Sequence, residues 1–462
     1  MKSGKLLVGI GTAIMLLSTL TGCGDDGKVK IVFWHTMGQA NQAWLNERIK
    51  EFNKLYPEVS IAHAAQGDYA GLKTKISSAI PAGTTPTMAY CYPDHVADYL
   101  VAGASEDMTS YINSTEYGLG VNPSGKDLGD KAASDFVPAY YDEGQHYVDK
   151  NGVSVSGIYS LPFSKSTEVM FYNKTIFAKE GWTVPTTWTE LWTWAAKCKE
   201  KYPTATPLGY DSDANMLITM FEQLQIPYTT ATTSGQNGHF LFNNDDAKSL
   251  VTELLSYYKK GYFVTQGTSA NGSYTSTMFT KGAVANGCLM TIGSTGGTGY
   301  NWPANSESDP TGAFAVGVAE IPQFDSNHKK LIMQGPSVTF FKRASAEQKK
   351  YAWLFYKYLT NTDNSASYSF LTGYSPVRTS SYSSSNYDQY DETTMSNTKY
   401  QLIHEVSQLA VTITNDYFVS PAFKGSTAAR DEMNKILAAV CNNGTSVADA
   451  FQNALTACVF AS

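Results

Sequence analysis

Charge is scarce in this chain: Asp, Glu, Lys and Arg together make up 16% of its 462 residues. The basic residues form no run that would grip a nucleic-acid backbone, and the formal net charge of -7 argues further against such a partner. Beyond the N-terminal segment, no apolar run reaches the length of a membrane-spanning helix. The seven histidines form no His-Glu-x-x-His pair and no Cys/His zinc spacing. There is no Gly-x-Ser-x-Gly elbow and no phosphate loop closing in Gly-Lys-Ser/Thr. The nearest approach to a dinucleotide fingerprint, Gly9-Ile-Gly11, lies in the leader. No metal, no cofactor and no catalytic residue is therefore expected. A secreted carbohydrate-active hydrolase or lyase stays open as an alternative, because a glycosidase needs only two carboxylates and leaves no such mark.

Cysteine is sparse as well, with six in all. Those after Cys23 are Cys91, Cys198, Cys288, Cys441 and Cys458, an odd set that leaves at least one thiol free. Cys441 and Cys458 are the only pair close in sequence; the set reads mainly as small buried apolar residues.

What the chain does hold is aromatic and apolar material: 13% aromatic, with 30 Tyr and 8 Trp, and 42% hydrophobic. Tyr joins a flat apolar face to a hydroxyl, which suits hydroxyl-rich ligands, although most of them pack at surfaces and sheet edges. The length implies two or three domains.

The first residues carry an address. Lys2 and Lys5 precede an apolar run from Leu6 to Leu17, followed by Leu20-Thr-Gly-Cys23. This is the layout of an export signal over residues 1–22, too short and too glycine-punctuated to span a bilayer well. The four residues ending in Cys23 resemble a bacterial lipobox, so Cys23 is the expected lipid-attachment site and the membrane is met through that anchor alone. Gly24 to Lys28 reads as a short flexible tether. The expected location is extracytoplasmic, in the periplasm or on the outer face of the cytoplasmic membrane.

Past the tether the periodicity alternates. Lys30 to Trp34 is a β-type run, and Leu45, Ile49, Phe52 and Tyr56 have helical spacing up to Pro57. Val59 to His63 is a second strand; Leu72, Ile76, Ala79 and Ile80 mark a second helix closing near Gly83, and Thr87 to Cys91 a third strand. The order βαβαβ implies an α/β fold with a parallel sheet. Ligands of open α/β sheets bind beyond the carboxyl ends of the strands. Three segments should share that rim: Trp34-His35-Thr36, Gln66 to Tyr69, and Tyr92-Pro93-Asp94. Farther on, Glu168 to Asn173 reads as a strand, Lys174 to Gly181 as a helix, and Thr187-Trp-Thr-Glu190 as a capping box. Leu289 to Tyr300 reads as a strand leading into a Gly/Ser/Thr-rich loop, Ser380 to Ser385 as an exposed loop, and Met433, Ile436, Leu437 and Val440 as helical.

Several local patterns occur in one order: Phe33-Trp-His-Thr-Met37, Phe171-Tyr-Asn-Lys174, Pro185 to Leu191, Phe279-Thr-Lys-Gly282 with Leu289-Met-Thr291, and Thr372-Gly-Tyr-Ser-Pro376. Together they resemble the extracellular solute-binding proteins of carbohydrate ABC importers, with the sn-glycerol-3-phosphate-binding branch nearest. The resemblance implies a type II periplasmic-binding-protein-like fold, two α/β lobes closing on a ligand cleft. It places residues 30–165 plus 288–335 in the N-terminal lobe and 166–287 plus 336–462 in the C-terminal lobe. It implies a monomer that binds a small solute (a sugar, polyol or glycerol-phosphate type), presents it to permease subunits and performs no chemistry on it; a sensory binding protein would look the same. Carried over position by position, the ligand contacts are Tyr69, Ser166, Thr295 or its neighbour Ser294, Gly335 and Tyr374. The branch's Glu falls on Pro93, making Asp94 the substitute, and its phosphate-holding Arg falls on Phe423, making Lys424 the substitute. His35, at the end of the first strand, is a further candidate contact.

Overall fold

The computed structural model describes residues 27–232, 237–281, 286–306, 309–385 and 398–461. The expected export signal, Cys23 and Gly282 lie outside the described residues.

Strands Val29–His35 and Val59–Ala65 pair in parallel from Val29 opposite Val59 to His35 opposite Ala65. Phe33 and Trp34 pair in parallel with Met88 and Ala89 on the other side. The connecting helices bury the residues that the helical spacing selects: Leu45, Ile49 and Phe52 on Gln39–Leu55, and Leu72, Ile76 and Ala79 on Tyr69–Ala82. The second helix ends at Gly83, whose φ of 67° supplies the left-handed C-cap.

Two five-stranded sheets result. The first runs Val59–Ala65, Val29–His35, Met88–Cys91, Ser337–Phe340, Leu161–Pro162. The second runs Val316–Ala319, Glu168–Asn173, Cys288–Ser294, Thr206–Tyr210, Phe263–Thr265. Each has its own core. Phe33, Phe52, Tyr90 and Trp353 pack around the first, and Trp188, Leu217, Met290 and Phe423 around the second. The protein is thus two α/β lobes.

The lobe boundaries differ from expectation in one exchange. Residues 288–335 belong to the second lobe, because Cys288–Ser294 pairs with Glu168–Asn173 and with Thr206–Tyr210 at the centre of that sheet. The chain returns to the first lobe at Ser337–Phe340, which pairs antiparallel with Met88–Cys91. Helices Ala346–Leu359 and Thr362–Thr372 stay there, Trp353 and Tyr368 entering the first core. From Lys399–Thr412 onward the helices pack on the second lobe, with Leu402, Val406, Met433 and Phe451 in its clusters. The crossings expected near Ser166 and Gly335 are present; none occurs near Cys288.

Those crossings form a short ladder between the lobes. Ser166 N donates to Gln334 O and Gln334 N to Ser166 O, both at 2.8 Å. Lys165 N donates to Ser375 O at 3.3 Å, and Ser375 N returns the bond to Lys165 O at 2.7 Å. Gly335, with φ 97°, sits where an added Cβ would lie 2.5 Å from Ser164 O and 2.8 Å from Lys165 Cα, so the close passage of the two strands requires glycine. Beneath it the fully buried Lys165 ammonium pairs with Glu143 and also donates to Gly335 O at 3.2 Å.

The remaining local expectations meet mixed outcomes. Thr187 and Glu190 form the reciprocal capping box. The Ser-rich stretch is a 3₁₀ turn over Thr379–Ser383 with Ser381 buried, held by its hydroxyl on Thr362 O, and not a fully exposed loop. All five described cysteines are free, and four of them are buried.

Candidate functional site

Between the lobes, beside a space of about 210 Å³ bounded by Ala139, His146, Tyr417 and Ala422, open two cavities that share Gln334 and Arg430. The larger, about 980 Å³, is walled chiefly by the second lobe and closed from the first by Tyr374. The smaller, about 110 Å³, lies between Tyr92 and Asp94 of the first lobe and Ile218 and Tyr228 of the second. Gln334, on the crossing ladder, and Arg430, on helix Ser426–Cys441, line both.

The polar wall of the larger cavity is built at strand ends. Glu168 opens the strand that leaves the crossing; it is buried and accepts from Tyr210 Oη and, at 2.7 Å, from Asn215 Nδ2. Burial pushes its carboxyl up to about 7, against the pull of those two donors and of Arg430. Asp211, at the end of the next strand, accepts from Thr275 N at 2.6 Å and Ser276 N at 3.2 Å, and burial raises it too. Arg430 donates one guanidinium nitrogen to Asn215 Oδ1. Ser294 lines the same cavity, its hydroxyl accepting from Gly296 N. At the lips stand Tyr274 and Tyr300, 56% and 79% exposed.

A polar bridge joins the lobes beside the smaller cavity. Thr427 Oγ1 donates to Asp94 Oδ2 at 2.7 Å and accepts from Lys73 Nζ at 2.7 Å. Lys73 also pairs with Asp98 at 2.7 Å, and Asp98 Oδ1 accepts from Gly425 N at 3.3 Å. Helix Ser426–Cys441 has no side-chain cap of its own. At its positive end stand two aspartates of the opposite lobe, Asp98 accepting from the N-cap Gly425 N and Asp94 from the Thr427 hydroxyl. The net effect on Asp94 is a carboxyl below its usual range: burial raises it, and His95, Thr427, Lys73 and Arg430 outweigh that.

The residues singled out from sequence are distributed as follows. Asp94 lines the smaller cavity and Tyr374 the larger. Tyr69 stands one ring back, its centroid 4.3 Å from that of Tyr92. Ser166, Thr295 and Gly335 lie in the crossing: Ser166 and Thr295 are buried, and Thr295 N donates to Thr167 O at 2.9 Å. They shape the floor from beneath. Tyr69, Ser166, Thr295 and Gly335 line neither cavity, and nor do the remaining two candidates. His35 is fully buried, bonded to His63 Nδ1 at 2.9 Å and to Met37 N, so its polar atoms serve the first lobe, and burial with His63 lowers it to about 4. Lys424 is exposed and lines neither cavity; the adjacent Phe423 is fully buried in the second core, stacked on His239 at 4.2 Å. The cations that line the cleft are Arg430, on both cavities, and Lys281, on the larger. The sequence signal of Arg430 was available: it lies three residues before Met433, on the apolar stripe that continues through Ile436, Leu437 and Val440. A charge on such a stripe needs a buried partner or a cavity. Gln334 carried no comparable signal.

The family model for bacterial extracellular solute-binding proteins matches residues 47–394. The chain belongs to that family. Among curated relatives, the sn-glycerol-3-phosphate-binding periplasmic protein UgpB of Pectobacterium atrosepticum is 25% identical over 376 residues, covering 79% of this chain and 76% of its own. The Brucella abortus protein of the same name is 23% identical over 388 residues, 80% and 81% of the two chains. Among solved structures, Mycobacterium tuberculosis UgpB in complex with glycerophosphocholine superposes with a TM-score of 0.70 at 17% identity, over 94% of this chain and 98% of that one. The GacH receptor of Streptomyces glaucescens, solved unliganded and with acarbose, gives 0.68 at 17% identity over 93% and 97%. These likenesses fix the periplasmic-binding-protein-like fold of two lobes. Among the described residues no helix is long and apolar enough to cross a membrane.

Proposed function

We propose that this protein is the lipid-anchored binding subunit of an ABC importer, taking up a sugar, polyol or glycerol-phosphate-type solute between its lobes. The observation that carries the reading is the interlobe cleft itself, walled by both lobes and floored by the crossing ladder, with polar side chains and exposed tyrosines converging on it. Hydrogen-bonding groups set among aromatic faces are what a hydroxyl-rich ligand requires. The names of the curated relatives support the glycerol-phosphate arm, and Arg430 supplies a forked cation for such a group where Phe423 supplies none. Closure of the lobes buries the solute and presents both lobes to the permease; contacts made only in the closed form drive the shift. No bond of the solute is made or broken. Cys23 carries the anchor that keeps the protein at the outer face of the membrane.

A thermal-unfolding screen of residues 24–462 tests the reading. Glycerol 3-phosphate, glycerophosphodiesters, maltose-type oligosaccharides, monosaccharides and polyols form the panel. A ligand at 100 times its dissociation constant adds about 2.7 kcal/mol and raises the melting temperature. A panel without a single rise refutes the ligand class. Cys23→Ser is expected to release the protein from membranes in fractionation; retention of the variant refutes the anchor.

A further inference from the structure

The end of strand Val29–His35 carries a chain of hydrogen bonds with no place for another proton. His35 is fully buried, and its Nδ1 accepts from Met37 N at 3.1 Å. A main-chain N–H only donates, so the proton of a neutral His35 sits on Nε2. That nitrogen stands 2.9 Å from His63 Nδ1, which therefore accepts. His63 in turn carries its proton on Nε2, 3.0 Å from Asn46 Oδ1. Each ring nitrogen is thus assigned by its partner, from the turn at Met37 to the helix Gln39–Leu55.

A proton taken up from solvent breaks this chain wherever it lands. On His35 Nδ1 it faces the Met37 N–H, donor against donor. On His63 Nδ1 it faces the His35 Nε2–H across 2.9 Å. No anion stands by to compensate. Phe33 packs on His35 from its own strand, and Tyr90 from Met88–Cys91, with ring centroids 6.2 Å apart. The helix Gln39–Leu55 offers the uncharged Asn46 and Gln42, and strand Val59–Ala65 offers His63 itself. Among the described residues no carboxylate acts on either ring. Burial lowers both histidines, and burial with His63 takes His35 from its ordinary 6.5 to about 4.

What this chain holds is the rim of the first lobe. His35 O accepts from Gln66 N at 2.8 Å, in the segment that leads into helix Tyr69–Ala82. Gln42 Nε2 donates to Met37 O at 2.9 Å, so the same turn is tied to the first helix, which has no side-chain cap. Tyr69 backs Tyr92 at 4.3 Å between ring centroids, and Tyr92 lines the smaller cavity.

We infer that His35 and His63 are positioning residues of the cleft wall and form an acid-operated release. While both are neutral they lock residues 36–38 and 66–69 in place, and a proton on either ring frees both segments. The inference concerns the wall and holds for whichever solute the cleft takes. Its sign follows from the lowered value in the fold. Between about 4 and 6.5 the opened state binds more protons, so the locked state loses ground as pH falls through that window.

Hydrogen exchange of residues 24–462, read by mass spectrometry and corrected for intrinsic rates, tests this without a ligand. Between about pH 7.5 and about pH 5, protection of residues 33–42 and 66–72 is expected to fall about 30-fold, the ratio for a group that moves from about 4 to 6.5 on opening. Cys288–Ser294, in the second lobe, is expected to keep its protection. His35→Asn keeps an acceptor for Met37 N in its Oδ1 and takes up no proton, so its two segments should be equally protected at both values. Equal protection in the wild type, or a loss that persists in His35→Asn, overturns the inference. A loss confined to residues 33–42 overturns the positioning role. Nitrogen-15 NMR of the histidine-labelled wild type needs no variant to fold. Both rings are expected as Nε2–H tautomers at neutral pH, and an Nδ1–H tautomer on either one overturns the inference.

Discussion

Replacing Thr427 by Val removes one hydroxyl that joins Lys73 and Asp94 of the first lobe to the capping end of a second-lobe helix. Val keeps the shape and helix propensity of Thr, so the core of the second lobe, which Thr427 does not enter, is undisturbed. The hydroxyl makes two charge-assisted hydrogen bonds. Buried bonds of that kind are worth about 1.5–3 kcal/mol; Lys73 here is 19% exposed, and solvent screening reduces the joint contribution to about 1–2 kcal/mol. The whole amount belongs to the arrangement in which the lobes touch, because all of these bonds cross between them. The closed-to-open ratio is therefore expected to fall about 5- to 30-fold. A ligand that binds only the closed form loses affinity by up to the same factor. Small-angle scattering should show a larger radius of gyration for the unliganded variant, and titration with any hit from the screen should show the weaker binding. Thr427→Ser restores the hydroxyl and should restore both readouts. An unchanged radius together with an unchanged dissociation constant would refute the idea that this bridge holds the lobes.

Three further perturbations probe other parts of the argument. Glu168 titrates near 7 in the fold against 4.5 in an unfolded chain, so the unfolded state binds fewer protons between those values and stability falls as pH rises through that window. Glu168→Gln should remove that fall from a urea-denaturation series; an identical pH slope in both proteins would contradict it. Asp130 is fully buried between Arg378 at 2.6 Å and Lys357 at 3.3 Å. Asp130→Asn leaves two buried cations without their carboxylate and should destabilise the first lobe by about 3–5 kcal/mol in chemical denaturation, a loss below about 1 kcal/mol refuting the estimate. A Cβ at Gly296 would lie 2.7 Å from the ring of Tyr374. Gly296→Ala should displace that ring and weaken ligand binding with little change in melting temperature; equal affinity would separate Tyr374 from the ligand.

The first lobe was legible because its signals are local. Helical spacing at Leu45, Ile49 and Phe52, and the strands on either side, name their own partners through the parallel pairing of consecutive βα units. The exchange of residues 288–335 with 337–385 was not legible, since nothing within Cys288–Ser294 or Ser337–Phe340 says which of two similar sheets a short buried strand will join. That choice is made by hydrogen bonds to strands far away in the sequence, Thr206–Tyr210 and Glu168–Asn173 for the one and Met88–Cys91 for the other. The same limit explains the site. Tyr374 and Asp94 sit beside local patterns readable in the sequence and line the cavities, whereas Gln334 reaches the cleft only because the crossing strands meet there. His35 stands at a strand end, and packing on His63 turns it away from the cleft; Lys424 is exposed beside Phe423, which is buried against His239, and lines neither cavity.

The crossing ladder and the interlobe bridge together make the cleft a device with one soft coordinate. At the floor, Lys165, Ser166, Gln334 and Ser375 exchange four main-chain hydrogen bonds over the buried Lys165–Glu143 pair. Loss of any of these would leave buried polar groups unsatisfied, so the floor resists distortion. At the rim, Lys73, Asp94, Asp98 and Thr427 are partly exposed, and water replaces the bonds of Thr427 at a net cost of about 1–2 kcal/mol when the lobes part. In the proposed function, rotation about the floor keeps Gln334 in place while Arg430 moves with the second lobe. On that proposal, a difference in contacts between the open and closed forms couples solute capture to the shape a permease reads.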